Sequence, residues 1–562
     1  MKLETQADKP VLHAGTSPAH PALTAGERPE DIHSIATKTR WITFLVLLIA
    51  ALISLSALAY FFSQNSTNIY GDGIAHLNIA RKVVDCRSQS LWQRYVQLGT
   101  PWLPLPHVLM LPLVWNDTLW RTGLAGSIVS AISFIIAAAM LFKLSLLFYC
   151  GRTASPVYPA LVSLIIFALN PSNLYMQSTP MTELPFMAVF ISSIYFFQRW
   201  AIDQRWWILT LAAILMALSC LTRYEAWAVL PFAGILALLL SNQAGWRKIY
   251  ATALWGAIAA IGPLYWLWHN WIIYKNPLEF LTGPYSARSI FATQIERLSW
   301  ADFVIGNWRW SLLWAGLTVA ISIGVIVAAL GAFGLFNELI ARRKQIIRYS
   351  PTLLLALPFL FFIFSLYRGE IQVFPISALT LLNVRYGLPH LLAAAIFAPS
   401  VCLLISKGRP WMGALIIAVL ITFQYAFILR NGPQQLEVHQ EPLRNNVNSR
   451  DWRGRSKLAA YLREHPPQGP ILMHSGYLGP VVMRGNLRFS QIIHEGVPEY
   501  YEPGQKLFST VSTVILEEGG PLWKRLMLDE DFHRQFKQVY SVSSSPILSV
   551  WEKASFTGAK SK

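Results

Sequence analysis

The first apolar run is Trp41-Ile42-Thr43-Phe44-Leu45-Val46-Leu47-Leu48-Ile49-Ala50, and it continues to Phe62. Shortly after it the chain reads Tyr70-Gly71-Asp72-Gly73-Ile74-Ala75-His76-Leu77-Asn78. A stretch of about 20 apolar residues is what a helix needs to cross a bilayer and is longer than a signal-peptide core, so residues 41–62 are read as a retained anchor. The chain then delivers a carboxylate and an imidazole to the membrane face, flanked by glycines that permit close approach. Lipid makes such groups costly, so an ionisable residue there asks for a reason other than solubility.

The remainder repeats the first pattern. Hydrophobic residues make up 54% and charged residues 13% of the chain, where a soluble domain carries about 25% charged residues. Further apolar runs lie near 122–148, 157–170, 184–198, 206–221, 226–241, 250–270, 311–336, 352–366, 388–406 and 411–429. They predict an α-helical polytopic membrane protein with about eleven transmembrane helices. Lys38 and Arg40, Lys143 and Arg152, Arg199 and Arg205, Arg247 and Lys248, Arg342-Arg343-Lys344 with Arg348, and Lys407 with Arg409 fall in alternate loops. The positive-inside rule then puts the amino terminus in the cytoplasm and the carboxy-terminal region outside. This placement also accounts for most of the net charge of +17 without nucleic acid. Residues 1–40 are expected to be a disordered cytoplasmic tail, 41–430 the membrane domain with a long first outside loop at 63–121, and 431–562 a small extracytoplasmic α/β domain. Cys86, Cys150, Cys220 and Cys402 show no metal-ligand spacing, and neither a disulfide framework nor a zinc site is expected.

Candidate site residues are those that break the membrane pattern. If a helix starts at Asp72, then Asp72 and His76 share a face. Asp72 reads either as a helix cap or as a general base, and the two roles can coexist. Glu183, in Thr179-Pro180-Met181-Thr182-Glu183-Leu184-Pro185, reads either as a carboxylate at a helix amino end or as a second acid at the depth of Asp72. Arg223, Arg288 and Arg385, with Tyr386 beside the last, stand on the outside face against the positive-inside bias. A guanidinium suits bidentate phosphate binding, and local ion pairing is the alternative. Trp102-Leu103-Pro104-Leu105-Pro106-His107 cannot be a normal span and suits an interfacial segment beside a lipid or acceptor cavity, with His107 in a structural role. No Gly-rich phosphate loop, H-E-x-x-H or G-x-S-x-G motif appears, which leaves a cytosolic nucleotide-dependent enzyme unsupported.

An acid just after the first span, a long first outside loop, a second acid between the third and fourth spans and a soluble outside tail together resemble the GT-C superfamily of polytopic glycosyltransferases. Within it the chain looks most like bacterial relatives of protein O-mannosyltransferases and the aminoarabinose transferase, which implies a bacterial inner membrane. The likeness is carried by Gly71–His76, Trp102–His107 and Thr182-Glu183. It implies a sugar transferred with inversion from a polyprenyl-phosphate donor to a protein, lipid or glycan acceptor, with Asp72 as base and Glu183 or His76 orienting it. Arg385, Arg223, Tyr386 and Arg288 would hold the lipid phosphate. No cofactor is expected, and a divalent metal stays open. Many mannosyltransferase relatives carry Asp-Glu in the first loop, whereas Gly73 follows Asp72 here. A polytopic transporter or flippase, or a lipid-linked glycan ligase, are the competing readings.

Overall fold

The computed structural model describes residues 40–295, 302–377, 380–406 and 409–554. The expected disordered tail, apart from Arg40, lies outside these residues, as do Lys38 and Lys407. Every apolar run is helical. Helix α1 (Arg40–Ser63) leads into α2 (Gly71–Val84) and α3 (Leu105–Val114) of the long first loop. Then come α4 (Leu124–Tyr149), α5 (Val157–Ala168), α6 (Glu183–Asp203), α7 (Trp206–Cys220), α8 (Glu225–Leu240) and α9 (Trp246–Tyr274). After α10 (Ala287–Ile295) follow α11 (Trp308–Ile323), α12 (Val325–Ala341), α13 (Ile346–Arg368), α14 (Val384–Ile405) and α15 (Pro410–Leu429).

Among the described residues six helices are long and apolar enough to cross a membrane by themselves, namely α1, α4, α9, α13, α14 and α15. The helices behind the expected count of about eleven spans differ in length and continuity. Helices α5, α7 and α8 are only 12, 15 and 16 residues long, short of the ~20 a straight crossing needs. The run expected as one span near 311–336 is two helices, α11 and α12, bent by 118°. The bend falls at Gly324, which has φ +97. A Cβ there would stand 1.7 Å from the Gln424 side chain, whose amide oxygen accepts from the Ile326 N–H at 2.6 Å. Only glycine combines that dihedral with so close a neighbour.

Exposed apolar side chains such as Phe44, Leu48, Leu52 and Leu55 on α1 give the bundle the surface that lipid requires. The basic loops gather at one end. Arg152 and Arg342 both reach Glu338, at 3.5 and 2.5 Å, Gln198 donates to the Arg348 carbonyl at 3.0 Å, and Gln204 to the Leu240 carbonyl at 3.1 Å. Buried Glu338 and Arg342 therefore lock several loops of this basic end together. The opposite end carries Asp72, Glu183, Arg223 and Arg385.

Beyond α15 the chain runs through α16 (Glu437–Pro442) and α17 (Arg450–Glu464) into a mixed five-stranded sheet. A short antiparallel pair, β1 (Pro375–Ser377) and β2 (Thr380–Leu381), precedes α14. The larger sheet has the order β4-β3-β5-β7-β6, with β3 (Ile471–Met473), β4 (Ile492–Ile493), β5 (Thr513–Glu517), β6 (Phe536–Val542) and β7 (Leu548–Lys553). Strands β4, β3 and β5 are parallel, joined by α18 (Ser475–Arg484) and α19 (Gly504–Thr510), and α20 (Pro521–Leu526) follows β5. The run Ile471–Met473 is buried throughout, as central parallel strands are. One apolar core joins Ile74, Leu77, Met110 and Trp120 of the first loop to Trp452, Val481, Phe489 and Ile515, so the sheet domain is seated on that loop rather than tethered to it.

Replacing Gly324 with alanine is expected to destabilise the protein by about 1–3 kcal/mol through backbone strain and the displaced Gln424. A lowered melting temperature in detergent would register this, and an unchanged one would contradict the account of the bend.

Candidate active site

Four carboxylates and two guanidiniums meet at the end opposite the basic loops. Asp72 lies in the first turn of α2, just after Tyr70. Glu183 opens α6, behind the segment Asn170–Thr182. That segment is held by α4, where Ser127 donates to the Ser178 carbonyl and Ser130 to the Thr179 carbonyl, each at 2.8 Å. Pro180 wedges between α2 and α4: a Cβ on Gly73 would stand 2.9 Å from Pro180 Cγ, and one on Gly126 2.3 Å from Pro180 Cβ. Gly73 is thus needed for packing, which gives a physical reason for the residue that follows Asp72.

Arg385 is the hub and is 3% exposed. One terminal nitrogen donates to Asp72 Oδ2. The other donates to Asn383 Oδ1 at 2.6 Å and Glu441 Oε1 at 3.0 Å. Its Nε lies 3.4 Å from Glu183 Oε1, an ion-pair distance without hydrogen-bond geometry. Arg223 donates to Glu183 Oε1 at 2.9 Å and, through Nε, to Glu225 Oε1 at 2.8 Å. Both guanidiniums lie over the Tyr386 ring, at 5.1 and 5.3 Å from its centre.

Glu441, on α16 beyond the last span, was not marked by sequence reasoning. It accepts from the Asn383 N–H at 2.9 Å, and Tyr70 Oη lies 3.3 Å from its second oxygen while donating to the Val438 carbonyl. Asn446 donates to the Ile69 carbonyl at 3.0 Å. The segment 437–446 therefore clasps the start of α2. The available signal was positional: Glu441 emerges from the last span at the face that carries Asp72. Burial pushes the Glu441 carboxyl up to about 7, Arg385 opposing and Asp72 reinforcing the rise.

Not every expected residue joins the cluster. The His76 ring turns to His107, with nitrogens 2.9 Å apart, and packs edge-on against Trp102 at 5.0 Å between ring centres. Burial, aided by Arg385 and Arg223, pushes His76 down to about 3, so it is a neutral packed imidazole rather than an ionic partner of Asp72. His107 is fully buried at the start of α3 and Trp102 is half-buried, and both pack on His76 of α2. Arg288 is exposed on α10, outside the cluster. Arg223 and Arg385 are ion-paired with carboxylates, Arg223 with Glu183 and Glu225 and Arg385 with Asp72 and Glu441. Among the described residues no group of three or more His, Cys, Asp or Glu is arranged to hold a metal ion.

No family model matches this sequence and no curated protein matches it. Solved structures do. ArnT from Cupriavidus metallidurans bound to undecaprenyl phosphate aligns over 92% of this chain and 99% of its own, with TM-score 0.51 and 12% identity. Its apo structure aligns over the same shares, with TM-score 0.50 and 12% identity. The chain has a GT-C-type fold. The Archaeoglobus fulgidus oligosaccharyltransferase tethered to an acceptor peptide aligns more loosely, over 93% of this chain and 75% of that one, with TM-score 0.46 and 11% identity. Within the GT-C-type fold seen here, Asp72 is the half-exposed member of the cluster, with 41% of its side chain accessible, whereas Glu183 and Glu441 show 1% and 4%.

A carboxyl raised from 4.5 to about 7 binds a proton in the folded state over that interval that the unfolded chain has released. Folded stability is therefore expected to fall as pH rises through this window. Melting curves between pH 4.5 and 7 should show that slope in the wild type and a flatter one in Glu441→Gln, and equal slopes would remove the assignment.

Proposed function

We propose that the chain is a membrane glycosyltransferase that moves a sugar from a polyprenyl-phosphate donor to an acceptor hydroxyl or amine, with inversion. The observation that carries this reading is the exposure of Asp72 beside a buried arginine, at the membrane face of a GT-C-type bundle. The fold supports a lipid-linked donor because ArnT, which shares it, was solved with undecaprenyl phosphate bound. In the reaction the acceptor attacks the anomeric carbon as the bond to the phosphate oxygen breaks. Polyprenyl phosphate departs with that electron pair, and the acceptor's proton passes to Asp72 Oδ1. Arg385 fixes the other oxygen of Asp72, so the base enters the reaction already oriented.

The second N–H on the Arg385 nitrogen that holds Asp72 is assigned to the leaving phosphate, while Nε faces Glu183 at 3.4 Å. Arg223 is assigned a supporting role: it holds Glu183, and Glu183 faces Arg385. Four carboxylates against two guanidiniums make the pocket acidic, which favours a neutral or cationic acceptor and leaves the phosphate dependent on Arg385. We place this end on the extracytoplasmic face, because the opposite end carries the basic loops.

The test is release of polyprenyl phosphate from a panel of polyprenyl-phosphate sugars by reconstituted protein, with a membrane extract as acceptor and with or without EDTA. Asp72→Asn is expected to lose at least 100-fold in rate and Glu183→Gln at least 10-fold, with both proteins folded. Full activity of Asp72→Asn would refute the base, and loss with EDTA would make metal part of the mechanism. No release from any sugar by folded protein would favour the transporter reading. For orientation, single cysteines replacing Lys344 and Gln468 should be labelled by an impermeant maleimide only after lysis and in intact spheroplasts, respectively. The reverse pattern would invert the topology.

A further inference from the structure

Glu441 is the carboxylate of the cluster with the least support from cations. Glu183 faces two guanidiniums, at 2.9 Å from Arg223 and 3.4 Å from Arg385. Glu225 takes two nitrogens of Arg223, at 2.8 and 2.7 Å. Asp72 has Arg385 and access to water. Glu441 is buried, and it shares Arg385 with Asp72.

Its two oxygens are not equivalent. Oε1 accepts from the Asn383 N–H at 2.9 Å and from Arg385 at 3.0 Å. Among the described residues Oε2 meets only the Tyr70 hydroxyl, at 3.3 Å. Tyr70 has one hydroxyl hydrogen, and the nearer Val438 carbonyl takes it. A hydrogen between Tyr70 and Oε2 therefore has to come from Glu441, whose acid form donates to a phenolic oxygen with lone pairs to spare. One oxygen is set as an acceptor and the other as the seat of a proton. The groups facing Glu441 are Arg385 and Asn383 beside α14, and Tyr70 and Asp72 at the start of α2. Tyr175 stands behind Tyr70, with ring centres 6.3 Å apart. On its own side of the clasp, His439 packs against Tyr175 and Phe61, Glu437 turns to Thr380 of β2, and Arg444 donates to Gln440 and Ser377. Burial, reinforced by Asp72 and opposed by Arg385, brings the carboxyl up to about 7, where a proton exchanges near neutrality.

The guanidinium that Glu441 holds is the one assigned to the lipid phosphate. With every acid ionised, four carboxylates face two guanidiniums, and an arriving phosphate adds to that excess of negative charge. Like charges that share a site raise one another's affinity for protons. We propose that the lipid phosphate enters this site together with a proton taken up by Glu441, so that the charge of Arg385 is released from this acid to the phosphate. The proton comes from water, rests on Oε2 against Tyr70 Oη, and leaves when the phosphate does. Neutral Glu441 keeps its hydrogen bonds from Asn383 and Arg385 at Oε1, so the clasp of 437–446 stays closed while the charge changes. Asp72 and Glu183 are poor seats for this proton, the first because it is needed ionised as the base and the second because two guanidiniums face it. Glu441 touches no reacting atom and acts as a positioning residue. The inference rests on the lipid-phosphate part of the reading above and not on sugar transfer.

The full-length protein in nanodiscs is titrated by calorimetry with polyprenyl methyl phosphate, a diester whose single charge does not titrate near neutrality. Wild-type affinity is expected to fall about 5-fold or more between pH 6.5 and 8.5, as linkage to a group titrating near 7 requires. In buffers of different ionisation enthalpy at pH 7.5, wild type should take up about half a proton per diester bound. Glu441→Gln imitates the protonated acid, because its amide donates to Tyr70 and accepts from Asn383. This variant should bind equally at both pH values and take up no proton. Binding to wild type without proton uptake would overturn the proposal, and that result needs no variant to fold. The same pH dependence in folded Glu441→Gln would overturn it as well. Absence of diester binding at any pH would remove both the proposal and the lipid-phosphate donor. Sugar release without linked protons would sink the proposal and leave the transferase standing, whereas linked binding without release from any sugar would do the reverse.

Discussion

The buried guanidinium of Arg385 is the constraint on which the acidic end of this molecule depends. A charge removed from water must be paired and hydrogen-bonded or it costs several kcal/mol. Arg385 meets that demand with Asp72 from the first loop, Asn383 from its own turn, Glu441 from the segment after the last span and, at longer range, Glu183 from α6. Each partner belongs to a different part of the chain, so satisfying one side chain also sets the relative positions of α2, α6, α14 and α16. Two guanidiniums facing four carboxylates leave an excess of negative charge. Burial relieves it at Glu441, whose carboxyl is raised to about 7, and Asp72 keeps its access to solvent.

The membrane architecture was legible because lipid permits so few solutions. Every apolar run became helix, and the basic loops found one end. The break at Gly324 was not legible: a glycine inside an apolar run is common, and only the Gln424 side chain packed against it makes this one a corner. Asp72 and Glu183 stood out because a carboxylate beside a membrane needs a cause. Glu441 did not, because it sits in a polar stretch where an acid is unremarked. The arginines were legible as residues that break the charge bias, but their partners come from sequence positions up to 313 residues away, which no spacing reveals. His76 shows the reverse limit: helical periodicity put it near Asp72, and the buried ring of His107 drew it elsewhere.

At 12% identity to ArnT the shared shape is carried by constraints that many sequences satisfy. Helices need apolar faces and small residues where they cross, and they tolerate wide exchange among Leu, Ile, Val and Phe. What distinguishes this chain is concentrated in a few polar contacts at one end and in the sheet domain seated on the first loop. That domain shares a core with Ile74, Leu77 and Trp120, so the helix bearing Asp72 is buttressed from the aqueous side as well as from the bundle.

The clasp of 437–446 over the start of α2 also has a meaning in time. Asp72 and Glu441 lie far apart in a chain of 562 residues, and ribosomes add residues at roughly 5–20 per second. Asp72 therefore reaches the membrane on the order of 20–70 s before the carboxylate that completes the setting of its arginine. During that interval the half-made protein has a membrane anchor and an acid at the bilayer face but no finished centre. A segment made after the last span closes a helix that follows the first, and the order of synthesis delays the site until the whole bundle is in place.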